Sequence, residues 1–253
     1  MTEALLRIRG VRKSFGGLRA VDGATLDVRK GRITGLIGPN GSGKTTLFNT
    51  VLGIYQPEEG SIYLDSERID GLPPHVVYAK GLANAFQIPR LFRQLSVLDN
   101  MLLAARGNKG EGFLQGLLLK ARWQRKEAEL AEKALGILRL LELEGLALAP
   151  AGEISGGQMK LLEIGRALMA DPMLVLLDEP AAGVNPVLGR KIYERIEELC
   201  SQGLSFFIIE HRLEILFDFA NWVYLMEKGR VVAEGSPAEI VNSPVFYEVY
   251  LGE

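Results

Sequence analysis

An α/β fold is predicted for this chain of 253 residues, with a mostly parallel core sheet, a small antiparallel sheet beside it and a helical insertion. Three observations predict it. Apolar runs of strand length, Ile33–Ile37, Met173–Leu177 and Leu204–Ile209, alternate with stretches of helical period, as in a parallel sheet covered by helices. Leu5–Arg9 and Thr25–Arg29 alternate apolar and polar residues, as half-exposed strands do. From Ser96 to about Pro150 the strand signals give way to helical ones.

Taken in order, Phe15-Gly16-Gly17 reads as a turn between the first two strands, and Ser61–Leu64 after Gly60 as another short strand. Thr46–Leu52 is helical, with Leu47 and Val51 on one face and Gly53 placed to end it. Pro73-Pro74 starts a short helix, and Leu82–Phe86 is a strand running into Gln87. Ser96-Val97-Leu98-Asp99 has the residues of a capping box. Gly107–Gly112 reads as a loop, Phe113–Leu119 is locally apolar, and Ala121–Leu143 is a long helix with Leu130, Ala134 and Leu138 on one face. Beyond Pro150, Gln158–Ala170 and Pro186–Ser201 are helices, and Trp222–Met226 with Arg230–Glu234 forms a hairpin across Glu227-Lys228-Gly229. The expected organisation is a single domain. Residues 1–95 and 151–235 form the core and antiparallel sheet, 96–150 a helical subdomain and 236–253 closing helices.

Composition bounds the function. A hydrophobic content of 47% suits a globular chain. A formal net charge of −2 lacks the basic excess of a nucleic-acid-binding surface. The one cysteine, Cys200, excludes an internal disulfide and fits a reducing compartment. Met1–Arg9 lacks the pattern of a secretory leader, and no apolar run reaches the length of ~18 residues needed for a membrane span. These features predict a cytoplasmic protein with no direct membrane insertion, reaching any membrane through a partner.

The chemistry centres on Gly38-Pro39-Asn40-Gly41-Ser42-Gly43-Lys44-Thr45-Thr46. A glycine, four residues and then Gly-Lys-Thr, between an apolar strand and a helix, is the context of a phosphate-binding loop. Its glycines let backbone N–H groups turn inward, and the helix start adds its positive dipole end. Lys44 would reach the outer phosphates of a nucleotide, and the Thr45 hydroxyl would sit on Mg²⁺.

Leu174–Leu177 runs into Asp178-Glu179, two carboxylates at the end of a buried strand. Asp178 suits Mg²⁺ opposite Thr45, and Glu179 suits a base for the attacking water; the alternative is a pair of acids capping the next turn. Ile154-Ser155-Gly156-Gly157-Gln158 opens a further helix and forms a second phosphate-binding surface without a lysine of its own. Two such surfaces and one complete loop suggest that each supplies half a site across a dimer.

At these residues the chain resembles the ATP-binding cassette family, whose signature loop is Leu-Ser-Gly-Gly-Gln, over essentially its whole length. The resemblance implies a P-loop NTPase of the ABC type, an ATPase that uses ATP and Mg²⁺ and pairs head-to-tail with a second, identical or homologous ATPase subunit. It further implies that Phe15 stacks on adenine, where composition alone favours a core aromatic. Gln87 is implied to contact Mg²⁺ and the attacking water and to couple the site to transmembrane permease subunits. His211 is implied to contact the γ-phosphate, where its position alone fits a helix-start residue equally well.

The chain departs from the family's common pattern at Asn185, where aspartate is usual, at Glu210 and Arg212, which flank His211, and at Met159-Lys160-Leu161. Within the family it looks like the ATPase subunits of branched-chain amino acid importers. That likeness lies in Phe15–Val21, Gln87 with Arg90-Leu91-Phe92, Glu179–Gly183, Ile209-Glu210-His211, Tyr250–Glu253 and the insertion at Gly107–Leu119. Such a subunit would sit on the inner face of the cell membrane. Lipopolysaccharide-transport ATPases share the last four residues but usually carry aspartate where Asn185 stands, and a soluble scaffold of the iron–sulfur assembly kind is the alternative of another class.

Overall fold

A computed structural model describes residues 4–85, 91–105 and 120–251. The expected loop and apolar run at 107–119 lie outside the described residues. The chain divides into two compact units, Met1–Gln87 with Met173–Glu253, and Ile88–Pro172.

The first unit is built on two sheets. Its strands are β1 (Ala4–Phe15), β2 (Leu18–Arg29), β3 (Ile33–Ile37), β4 (Glu59–Leu64), β5 (Glu67–Arg68), β6 (Leu82–Ala85), β7 (Leu174–Asp178), β8 (Ser205–Ile209), β9 (Trp222–Glu227) and β10 (Arg230–Gly235). The antiparallel sheet has the order β2-β1-β4-β5, and the core sheet the order β10-β9-β3-β8-β7-β6. Within the core sheet β9, β3, β8, β7 and β6 run parallel, and β10 joins antiparallel at the edge. Every residue of β3 and of β8 is buried, which explains why these strands read as apolar runs rather than alternating ones.

The first two strands run beyond the alternating segments that announced them, out to Phe15 and back from Leu18. Leu6, Ile8, Val21, Leu26 and Val28 join Leu36, Leu47, Val51, Phe207 and Tyr224 in one apolar core. The Tyr224 hydroxyl donates to Asp27 O at 2.8 Å and accepts from Asp27 N–H at 3.0 Å, which fastens β2 to β9. Burying such side chains stabilises by about 1.5–3 kcal/mol each.

The register sets up the site. β7 and β8 pair as Asp178 with Ile209, and β3 and β8 as Leu36 with Ile209. The segments that leave the carboxyl ends of β3, β7 and β8 therefore emerge side by side. In parallel sheets this is the edge where ligands bind.

The second unit holds helices Val97–Leu103, Lys120–Leu140 and Gly156–Leu168 and the 3₁₀ turn Glu144–Leu146. Ser96 caps the first of these with the capping box its sequence announces. Ala134 and Leu138 are fully buried and Leu130 partly so. The return of α/β alternation puts the end of the helical segment at 150, but the compact unit continues to Pro172. The reason is close packing: a Cβ on Gly165 would stand 2.9 Å from Leu141 Cδ1 and 3.0 Å from Met101 Sδ. Alternation along the chain does not register such a contact. No helix among the described residues is long and apolar enough to cross a membrane.

Candidate nucleotide site

The loop after β3 is wedged between two backbone segments, and its glycines are what let it fit. A Cβ on Gly38 (φ 149°) would stand 2.1 Å from Met226 O, and one on Gly43 (φ 102°) 2.1 Å from Ala20 O. Gly229 N–H donates to Ser42 O at 2.9 Å, so the β9–β10 turn braces the loop from outside. Helix Lys44–Val51 starts at Gly43 with no side-chain cap. Its first turn directs uncapped N–H groups toward the loop, the arrangement that favours an anion.

Lys44 is buried, and its ammonium donates to Gly38 O at 2.8 Å, Pro39 O at 2.9 Å and Ser42 Oγ at 3.3 Å. Burial holds the Lys44 pKa below its ordinary value, opposed by the nearby Glu179 and Asp178 carboxylates. Asp178 moves the other way. Burial pushes its carboxyl up, Glu179 adds to this, and His211 and Lys44 oppose it.

Glu179 occupies the left-handed region at φ 51°, and its N–H donates to Ile209 O at 2.9 Å. Such a conformation costs a non-glycine residue of order 1–3 kcal/mol. It sets the Glu179 carboxylate with Oε1 3.0 Å from His211 Nε2. A carboxylate and an imidazole at this separation can hold and pass a proton. Helix Leu213–Phe219 begins two residues past His211 with Arg212 at its cap position, so His211 is not the helix-start residue that its position alone allowed.

A cleft of about 520 Å³ gathers Phe15, Asn40, Gly41, Gly43, Lys44, Thr45, Thr46, Glu179 and His211. Gly38, Pro39 and Ser42 stand behind it as the partners of Lys44. Phe15 is 44% exposed, with its ring edge-to-face on Tyr55 at 5.1 Å. The core-aromatic reading of Phe15 is therefore corrected: the β1–β2 turn lifts the ring to the cleft. Leu18, Arg19, Ala20 and Lys228 also line it. Leu18, Arg19 and Ala20 come from β2 and Lys228 from the β9–β10 turn, so the spacing within Gly38–Thr46 carries no signal for them. Gln87 lies outside the described residues.

In the second unit, Ser155 Oγ accepts from Gln158 N–H at 3.3 Å, and Gln158 Oε1 accepts from Ser155 N–H at 2.8 Å. This capping box starts the helix at Gly156 rather than Gln158 and fixes Ser155, Gly156, Gly157 and Gln158 as its first turn. Ser155 and Gly156 are exposed, Gln158 is half-buried and Gly157 is buried.

The family profile described as ABC transporter matches residues 21–182, which include the phosphate loop, the Ser155 turn and Glu179. The chain belongs to the ABC transporter family. This cassette is 44% identical to the probable branched-chain amino acid transport ATP-binding protein LivG of Archaeoglobus fulgidus, with 98% of its own length and 95% of that protein covered. It is 37% identical to the high-affinity branched-chain amino acid transport ATP-binding protein BraF of Pseudomonas aeruginosa, covering 100% of each. Its fold matches the crystal structure of the ADP conformation of an ATP-binding cassette of an ABC transporter, at a TM-score of 0.87 and 41% identity over 100% of both chains. ATP-binding cassettes are ATPases.

Proposed function

We propose that this cassette is one ATP-hydrolysing subunit of an importer for branched-chain amino acids. It works head-to-tail with a second cassette, on the inner face of the cell membrane, and drives transmembrane permease subunits. The observation that carries the reading is the Glu179–His211 pair, 3.0 Å apart in the cleft that Lys44 and Thr45 also line. The names borne by relatives that match this cassette end to end support the choice of solute.

In this reading Phe15 stacks on the adenine, and the N–H groups of the Gly38–Thr46 loop surround the phosphates. Lys44 exchanges the carbonyls of Gly38 and Pro39 for phosphoryl oxygens. Glu179 accepts a proton from the water that attacks the γ-phosphate, giving ADP and inorganic phosphate, while His211 orients Glu179 and meets the γ-phosphate. Catalysis of this kind is mostly positioning and charge stabilisation.

The Thr45 hydroxyl and the Asp178 carboxylate are hard oxygen donors of the kind Mg²⁺ takes. The raised pKa of Asp178 fits a carboxylate built to receive a cation. When bound, Mg²⁺ would supply positive charge to offset that of the phosphoryl groups. Thr45, Asp178 and Gln87 would hold it.

Ser155–Gln158 of the partner cassette would close over the γ-phosphate. ATP then favours the closed pair, because only that state satisfies the γ-phosphate from both sides. Reconstitution with the cognate permeases in proteoliposomes tests the whole reading. Leucine uptake that needs ATP and is lost in Glu179→Gln is expected. ATP hydrolysis that never responds to permeases or solute would overturn the importer assignment.

A further inference from the structure

Glu210 is a buried carboxylate, 1% exposed, that the reading above does not use. It follows β8 directly and accepts three backbone hydrogen bonds from two segments. Ala181 N–H donates to Oε1 at 3.3 Å, while His211 N–H and Arg212 N–H donate to Oε2 at 2.8 and 3.1 Å. Ala181 lies two residues past Glu179, in the turn closed by the bond from Ala182 N–H to Glu179 O at 3.0 Å. Arg212 ties the same two segments from the other side, its Nη1 donating to Ala181 O and Val184 O, both at 3.4 Å. Helix Pro186–Ser201 leaves room for this guanidinium: a Cβ on Gly189 would stand 3.3 Å from Arg212 Nη1.

We infer that Glu210 is a positioning residue for hydrolysis, its carboxylate stapling the Glu179–Ala182 turn to the His211 turn so that Glu179 and His211 stay 3.0 Å apart. The β7–β8 ladder ends at the bond from Glu179 N–H to Ile209 O, beyond which these side-chain contacts tie the two turns, and Glu179 is in a strained conformation. Hydrogen bonds to a carboxylate are the stronger kind, and here one carboxylate fixes the main chain on both sides of the pair. Arg212 extends the tie to Val184, beside Asn185, which caps helix Pro186–Ser201 by accepting from Leu188 N–H at 2.9 Å. None of the hydrogen-bond partners of Lys44, which are Gly38, Pro39 and Ser42, takes part in the staple.

The inference rests on the proposed roles of Glu179 and His211, and the test separates the two. Glu210→Gln is nearly isosteric but replaces one acceptor oxygen with a donor, so it cannot receive N–H groups from both turns. Its kcat for ATP is expected to fall about 10²-fold, the scale of a small misplacement of reacting groups, with ATP affinity close to wild type and a melting temperature lowered by only a few degrees, the scale of one buried donor left unpaired. Introduced into Glu179→Gln, it is expected to cost little more, because the two changes disable one arrangement. A Glu210→Gln protein with wild-type kcat overturns the staple. So does a loss of kcat matched by an equal loss of ATP affinity, which marks Glu210 as structural only. Hydrolysis indifferent to Glu179→Gln instead overturns the site reading beneath it.

Discussion

His211 Nε2 and Glu179 Oε1 stand 3.0 Å apart although 32 positions separate them in the chain (211 − 179), because β7 and β8 are adjacent parallel strands that end together. The pair makes Glu179 the group whose removal separates binding from turnover. Glu179→Gln is expected to bind ATP as the parent does and to hydrolyse it about 10²–10⁴-fold more slowly, the span of a general base. An ATP-bound pair should then accumulate in gel filtration. Normal turnover in this variant would remove Glu179 from the chemistry.

Lys44 is the next discriminating position. Its ammonium makes three hydrogen bonds within the phosphate loop. In the nucleotide complex those donors face charged oxygens, and a hydrogen bond to a charged group contributes about 1.5–3 kcal/mol. Lys44→Ala is therefore expected to weaken ATP binding by roughly ten- to a hundredfold. Titration with a fluorescent ATP analogue measures this; unchanged affinity and unchanged turnover together would contradict the site.

The sequence made part of this arrangement legible, and the boundary between what it showed and what it concealed is physical. Gly38–Thr46 was readable because its glycine and lysine spacing lies within one short stretch, as were Ser96 and Ser155, whose caps involve neighbours three residues away. Phe15 was ambiguous because an aromatic in a turn carries no sign of which side it faces; only the folded β1–β2 hairpin shows it exposed. Arg19, Ala20 and Lys228 reach the cleft through the pairing of distant strands. Glu210 looked like a departure beside His211. Its three backbone bonds depend on the Ala181 turn, which no spacing along the chain brings near.

Ser155 tests the half-site idea independently of catalysis. Its capping box is exposed and local to the second unit. Ser155→Ala removes the cap and is expected to lower stability by about 1 kcal/mol. Ser155→Arg adds bulk and charge to the surface that would close on a partner's nucleotide. In a Glu179→Gln background it should leave ATP binding intact and abolish the ATP-dependent pair in sedimentation. A pair that still forms would argue against a shared site.

Asp178 supplies the pH signature. Burial, then Glu179, raises its carboxyl above the ordinary 3.8 in the folded protein. The native state therefore holds this proton more tightly than the unfolded chain does. Its contribution to stability is fully present below pH 3.8 and is lost as pH rises through the raised folded value. At neutral pH the ionised carboxylate is thus carried at a cost that a cation would relieve. Asp178→Asn is expected to melt higher than the parent at pH 7 without nucleotide, with the difference closing toward pH 3.8. The variant should also gain less from added Mg²⁺ and ATP, because the added charge no longer meets a carboxylate. Thermal melts across pH, with and without Mg²⁺ and ATP, measure both effects. A variant that melts lower at neutral pH and responds fully to Mg²⁺ would show that Asp178 serves the strand end rather than the metal.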